Sequence, residues 1–247
     1  MRMIRRRQPG LETGLILLAL QVINFGIDNI PITTLLGVLA QSLLYAGVIK
    51  VKWNPEDVCI SASRIIVYKK WRSLFLSNFE HGSDIHLYYN MVSFVIKGSS
   101  LEPIYGSLNF ALLLGLFAVG CGSMYVCLGY ALTKLTNNYF HYHVCAIGFS
   151  AILFALKVVL VCESEDRPTE VGGFRVPSKF SVWMELVLIH VLVPNSSLLG
   201  HLSGTLVGCV YCYTSIGDTI DDSLTKLSCQ SINHANEFYD RRAIALF

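Results

Sequence analysis

Four residues in this chain have types and spacings suited to acyl chemistry: Ser150, His201, His86 and Asn90. Ser150 closes the triplet Gly148-Phe149-Ser150 inside the apolar run Cys145–Leu156, a few residues past a polar loop, Thr136–His143. His201 lies in Gly200-His201-Leu202-Ser203-Gly204-Thr205-Leu206-Val207-Gly208, the opening of the last apolar run. A serine hydroxyl is a poor nucleophile until a neighbouring imidazole takes its proton, so Ser150 and His201 read as nucleophile and base. The tetrahedral oxyanion also needs donors. His86 and Asn90, one helical turn apart, can aim an imidazole N–H and an amide N–H into one cavity, and the Ser150 backbone N–H is a third candidate. His201 would return its proton to the leaving amine. Gly200, Gly204 and Gly208 form a smooth face at i, i+4, i+8, against which Gly148, Ala151 and Ala155 could pack. Phe154, one turn below Ser150, is placed to lie on the imidazole ring.

Other polar residues read differently. His190 competes with His201 as base, or forms a structural pair with Glu185. His141 and His143 read as interfacial loop residues, Lys97 as a boundary lysine reaching for the interface, and Tyr68-Lys69-Lys70-Trp71-Arg72 as a lipid-headgroup anchor.

The elements that must position these groups are apolar runs. With 53% hydrophobic and 15% charged residues, the chain departs from ordinary soluble domains. The apolar residues gather into runs of bilayer length instead of spreading at core periodicity. A net charge of +2 gives no nucleic-acid footprint. The expected spans are 33–49, 84–96, 108–132, 144–161, 180–193 and 198–214, joined by a long polar connection at 50–83, a tight one at 98–107 and a charged loop at 162–179. Residues 11–30 carry Gln21, Asn24, Asp28 and Asn29 and read as an interfacial helix, although a seventh crossing stays open. The domains are therefore 1–30 (basic N-terminus and interfacial helix), 31–214 (six spans) and 215–247 (polar cytoplasmic tail). Met1–Gly10 lacks a small-residue cleavage site, so the first span is expected to serve as the targeting signal.

Six crossings put both ends on one side. Arg2, Arg5, Arg6 and Arg7 favour the cytoplasm for it, against six Lys/Arg in the 50–83 connection opposite. The second, fourth and sixth spans then start on the far side, and His86 with Asn90, Ser150 and His201 share one depth. Cys121, Cys127, Cys145, Cys162, Cys209 and Cys212 fall in or beside the runs and read as small packing residues, not metal ligands or a disulfide framework.

From Pro31 to about Gly208 these residues resemble the rhomboid intramembrane serine proteases. Trp71-Arg72 resembles the family's first-loop pair, and His81, His86 and Asn90 its second-span histidines and asparagine. Glu102 and Gly106, Gly148-Phe149-Ser150, and His201 with Gly204 and Gly208 follow in order. The resemblance implies an all-α membrane protein, a six-helix rhomboid-like bundle. In it Ser150 is the nucleophile, His201 the base and His86 and Asn90 the oxyanion donors. Gly148, Phe154, Gly204, Gly208, Trp71 and Arg72 support them, with no cofactor and no metal. The runs Asn29-Ile30-Pro31, His86–Met91, Val144–Ser150, Leu153–Val158 and Trp183–His190 resemble the family's endoplasmic-reticulum members. Those imply membrane-anchored substrates in quality control, a lumen-facing site and cytoplasmic termini. Three departures stand out. Ala151 replaces the usual glycine, which is expected to widen the spacing of the fourth and sixth spans. Phe154 replaces a common tyrosine, and Pro103-Ile104-Tyr105 lack a basic residue. The tail offers no ubiquitin- or ATPase-binding stretch for coupling to degradation machinery. A competing reading is a catalytically inactive relative that binds membrane clients and assists their extraction; labelling by a fluorophosphonate separates the two.

Overall fold

The computed structural model describes residues 13–164, 169–171, 173–193 and 196–234, and the basic start Met1–Gly10 lies outside them. In chain order its elements are α1 (Thr13–Phe25), α2 (Ile32–Tyr45), α3 (Pro55–Val58), α4 (Ala62–Ile66), α5 (Ser73–Leu76), α6 (Asp84–Tyr105), α7 (Ser107–Thr136), α8 (Phe140–His143), α9 (Ser150–Glu163), the strands β1 (Thr169–Val171) and β2 (Phe174–Val176), α10 (Ser178–Leu192), α11 (Leu198–Tyr213) and α12 (Ser215–Ser228). By length and composition, α7 among the described residues is the one helix that passes as a membrane span; α1, α2, α10 and α11 contain shorter apolar helices. Helix α6 runs to 22 residues but carries Asp84, His86, Lys97 and Glu102.

Helix α9 is the centre. It packs against α11, α6, α7 and α10, and Ile152 through Val159 are all buried. Leu87, Met91 and Phe94 of α6, Phe110, Leu113 and Phe117 of α7, and Tyr211 of α11 share one buried apolar core with Leu153 and Leu156. Gly204 lets α11 come close, because a Cβ there would sit 1.9 Å from the Ala151 carbonyl oxygen. The contact passes through the Ala151 backbone, and the two helices meet tightly despite its methyl. One turn pair further, a Cβ on Gly208 would meet the Ala155 oxygen at 2.8 Å, whereas Gly200 faces its own Ser197 side chain.

Several expected boundaries shift for local reasons. The second helix does not stop at Ile96; it continues to Tyr105 and turns into α7 at Gly106, whose φ of 77° needs no Cβ. The fourth helix starts at Ser150, not at Val144. Val144–Phe149 is extended or turning, with Ala146 in a β-bridge to Ile60 and Gly148 at φ 122°. The charged loop holds the antiparallel β1–β2 hairpin, so the chain is mostly and not wholly helical. The expected polar tail begins with the amphipathic α12, which buries Gly217, Asp221 and Leu224.

Helix α1 lies along α6 where an interfacial helix was expected. The Gly14 N–H donates to the Asp84 carboxylate at 2.8 Å, and Leu18, Val22 and Phe25 line one small cavity with Val92, Val95 and Ile96. The two helices run in the same direction, so α1 begins at the Ser150 end of the bundle while α12 lies at the other. At that other end Glu102 caps α2, accepting from the Thr33 N–H, the Thr34 N–H and the Thr34 hydroxyl, each at 2.8 Å. A carboxylate there satisfies orphan donors and the positive end of the helix dipole together.

Lys97 is not a boundary residue. Its side chain is buried, with Nζ 2.6 Å from Ser93 Oγ and 3.1 Å from Glu185. Lys157 of α9 lies 3.4 Å from the other oxygen of Glu185. Glu185 thus joins α6, α9 and α10, and is not paired with His190.

Candidate active site

The first turns of α9 and α11 and the start of α6 converge at one end of the bundle. Ser150 is the first residue of α9, so its backbone N–H has no partner within the helix. Its hydroxyl oxygen lies 3.1 Å from Nε2 of His201. His201 is 4% exposed and stands in the first turn of α11, where the Ser197 hydroxyl accepts the Gly200 N–H at 3.1 Å. Phe154 stacks on the imidazole, ring centroids 4.7 Å apart and planes 26° from parallel. That follows from its i+4 position relative to Ser150, which puts both side chains on one face of α9. His201 Nδ1 is buried and has no partner among the described residues. The arrangement is therefore a serine–histidine pair oriented by an aromatic ring, with no carboxylate bonded to the imidazole among the described residues.

His86 and Asn90 come from the first two turns of α6. The Gly82 N–H reaches Nδ1 of His86 at 3.5 Å, which leaves Nε2 carrying the hydrogen. Gly148 faces this ring and not α11: a Cβ on it would lie 2.7 Å from His86 Cε1, 3.0 Å from Nε2 and 3.8 Å from Asn90 Nδ2. Asn90 Nδ2 is buried with no acceptor among the described residues. Three N–H donors thus surround the Gly148–Ser150 turn, those of Ser150, His86 and Asn90. Beyond Ser150 a cavity runs beneath the first connection, lined by Ser77, Asn78, Tyr125, Gly148 and Ser203 among others.

Trp71 and Arg72 stay apart from these groups, whereas His81 adjoins His86. Trp71 is 56% exposed, with Lys69 Nζ 5.8 Å from its ring, and Arg72 is likewise on the surface. His81 is buried edge-on to His86, centroids 5.1 Å apart. His190 Nδ1 is buried without a partner among the described residues.

One participant was not anticipated. Cys145 is no packing residue: it is disulfide-bonded to Cys59, across 86 residues. Cys59 stood outside the apolar runs, and its solitary place in the polar connection was the available signal. Next to the bond, Ile60 and Ala146 exchange two backbone hydrogen bonds, both 2.9 Å, and the Gly148 N–H donates to the Ser77 carbonyl at 2.9 Å.

The profile of the Rhomboid domain matches residues 68–217, and the chain belongs to the rhomboid family, whose members are membrane-embedded. It is 40% identical to Rhomboid-related protein 4 of Mus musculus over 209 residues, 84% of this chain and 65% of that protein. Rhomboid-like protein 14, mitochondrial, of Arabidopsis thaliana is 37% identical over 185 residues, 73% of this chain and 55% of that one. Rhomboid-type serine protease 2 of Eremothecium gossypii is 30% identical over 130 residues, 52% of this chain and 47% of that protein. The chain thus spans about 65% of the length of the Rhomboid-related protein 4 sequences it matches. No solved structure matches it.

Proposed function

We propose that this chain is an intramembrane serine protease that hydrolyses peptide bonds in or near the transmembrane segments of membrane-anchored substrates. The observation that carries the reading is the 3.1 Å contact between the half-buried Ser150 Oγ and Nε2 of the buried His201 at one end of the bundle. A scaffold that only bound clients would gain nothing from a buried imidazole aligned on a hydroxyl, since ionisable groups at membrane depth are costly to keep.

The reaction follows from the geometry. His201 Nε2 accepts the Ser150 proton as Oγ attacks the scissile carbonyl, and the imidazolium then gives that proton to the leaving amine. The oxyanion forms between the N–H groups of Ser150, His86 and Asn90, donors aimed where charge develops. The positive end of the α9 dipole adds to them. Phe154 holds the imidazole plane, a task that a carboxylate performs in triads. The cavity beyond Ser150, with its serine and asparagine lining, suits the water that hydrolyses the acyl-enzyme. Gly204 and Gly208 keep α11 close enough for His201 to reach.

The likeness to Rhomboid-related protein 4 supports a place in the endoplasmic-reticulum membrane, with unstable membrane proteins as substrates and the Ser150 end facing the lumen. In that orientation α12 is cytoplasmic, and α1 enters from the lumenal end as a helix beside the six-helix bundle. Ser150→Ala is the test. Cleavage of a co-expressed membrane substrate falls toward the order of 10⁶-fold loss known for removal of a serine nucleophile, with protein level and location unchanged. Undiminished cleavage by the variant rejects the proposal.

A further inference from the structure

We propose that the Cys59–Cys145 disulfide positions the Ser150 loop for catalysis, so that hydrolysis runs with this pair oxidised and slows when a dithiol reduces it. The inference rests on the protease reading above and adds a covalent requirement to it. Residues 144–149 lie between α8 and α9, and no helix of their own holds them. The first connection holds them at three points: the disulfide at Cys145, the Ile60–Ala146 bridge, and the Ser77 carbonyl under the Gly148 N–H, beside the Tyr125 hydroxyl on the Val144 carbonyl at 3.3 Å and the buried Phe149 ring against Phe94. Two of the three are short backbone contacts, and an isolated two-stranded pairing is marginal by itself. The disulfide is the strong member. It sits three residues before Gly148, which faces His86, and five before Ser150, whose N–H enters the oxyanion site.

Reduction has a route. Cys59 is 3% exposed, but Cys145 is exposed on the Ser150-bearing end of the molecule. A dithiol's thiolate attacks Cys145 Sγ, Cys59 leaves as a thiolate and takes a proton, and the reagent's second thiol resolves the mixed disulfide. The protein gains two electrons and two protons as the reagent becomes a disulfide. Freed at Cys145, the loop keeps the Ile60 bridge, the Ser77 contact, the Tyr125 hydroxyl on Val144 and the Phe149 ring in the core, but loses its one covalent tie; displacement of the reacting groups by about 1 Å costs on the order of 10²-fold in rate. Disulfides persist in oxidising compartments, so the same bond supports an oxidising environment at the Ser150 end.

The test uses the full chain reconstituted in lipid vesicles with a membrane-anchored substrate. Dithiothreitol is titrated while mass spectrometry counts thiols newly open to maleimide. The expected result is a fall in kcat of about 10- to 100-fold as two thiols appear, with KM unchanged, and recovery on oxidation by oxidised glutathione. The double variant Cys59→Ser with Cys145→Ser should show the lowered kcat from the start and no response to dithiothreitol. Full kcat in the completely reduced protein overturns the proposal, as does finding both thiols free in the untreated protein. Thermal melting of the reduced chain separates positioning from folding: if it unfolds at the assay temperature, the bond is structural and the positioning claim fails. All three outcomes leave the protease reading intact, since that stands or falls with Ser150→Ala in the oxidised protein.

Discussion

Substituting Gly204 by alanine should separate the candidate catalytic pair without touching either member. A Cβ on Gly204 would lie 1.9 Å from the Ala151 carbonyl oxygen and 2.7 Å from its carbon, both backbone atoms that no rotamer change can move. Contacts below 3.0 Å do not persist, so α11 must retreat from α9 by about 1.1 Å at this turn, a distance comparable to the misplacement that costs on the order of 10²-fold. His201 sits one turn earlier on the same helix. Its Nε2 starts 3.1 Å from Ser150 Oγ, and a retreat of that size carries it beyond hydrogen-bond range. The expected loss in kcat is about 10²-fold, equivalent to about 2.7 kcal/mol of transition-state stabilisation. The assay is cleavage of a membrane-anchored substrate in vesicles, with fluorophosphonate labelling of Ser150 as a second readout. Circular dichroism confirms that helix content survives. Gly115→Ala is the control, since nothing lies within 4 Å of the added methyl. Unimpaired kcat and labelling in Gly204→Ala would refute the argument that close α9–α11 packing sets the Ser150–His201 distance.

Three further outcomes follow from the structure. Asn90→Ala should lower kcat by about 10²–10³-fold while KM holds, because the proposed mechanism gives its buried amide to the oxyanion and not to the ground state; parallel changes in KM would move it to substrate binding. Glu185→Gln should destabilise the bundle more than Lys97→Met, because it leaves Lys97 and Lys157 without their shared carboxylate whereas the second variant keeps the Lys157–Glu185 pair. Stranding buried charge costs about 3–5 kcal/mol, and equal melting temperatures for the two variants would contradict the triad. At the α12 end, His234 contacts Glu163 and Asp221 through its two ring nitrogens. Burial opposes the charged ring, but hydrogen bonds to Asp221 and Glu163, with their charges, outweigh it and raise the His234 pKa above 6.5. A raised folded-state pKa means that His234 contributes stability in full below pH 6.5, and that this is lost as pH rises through the folded value. The stability difference between the natural chain and His234→Gln, measured by melting across pH 5–9, should shrink toward high pH; a difference constant over that range would count against the charged clasp.

The candidate site was legible in the chain because a long apolar run tolerates few polar residues. Ser150, His201, His86 and Asn90 stood out against such runs, and i+4 spacing alone put Phe154 on the face of Ser150. The glycine face of α11 was legible too, though only at Gly204 and Gly208: Gly200 meets its own cap, and Gly148 turned out to serve His86. Hydropathy misplaced the start of α9 because Val144–Phe149 is as apolar as the helix it precedes. What ends the helix there is the left-handed backbone of Gly148 and the bridge to Ile60, a contact with a remote segment. The same reason hid the Cys59–Cys145 bond, the burial of Lys97 against Glu185 and the alignment of α1 with α6. Each depends on which segments meet in space. Local composition decides which segments are apolar and which polar residues stand out in them; only the packing of separate segments decides which of those residues come within bonding distance.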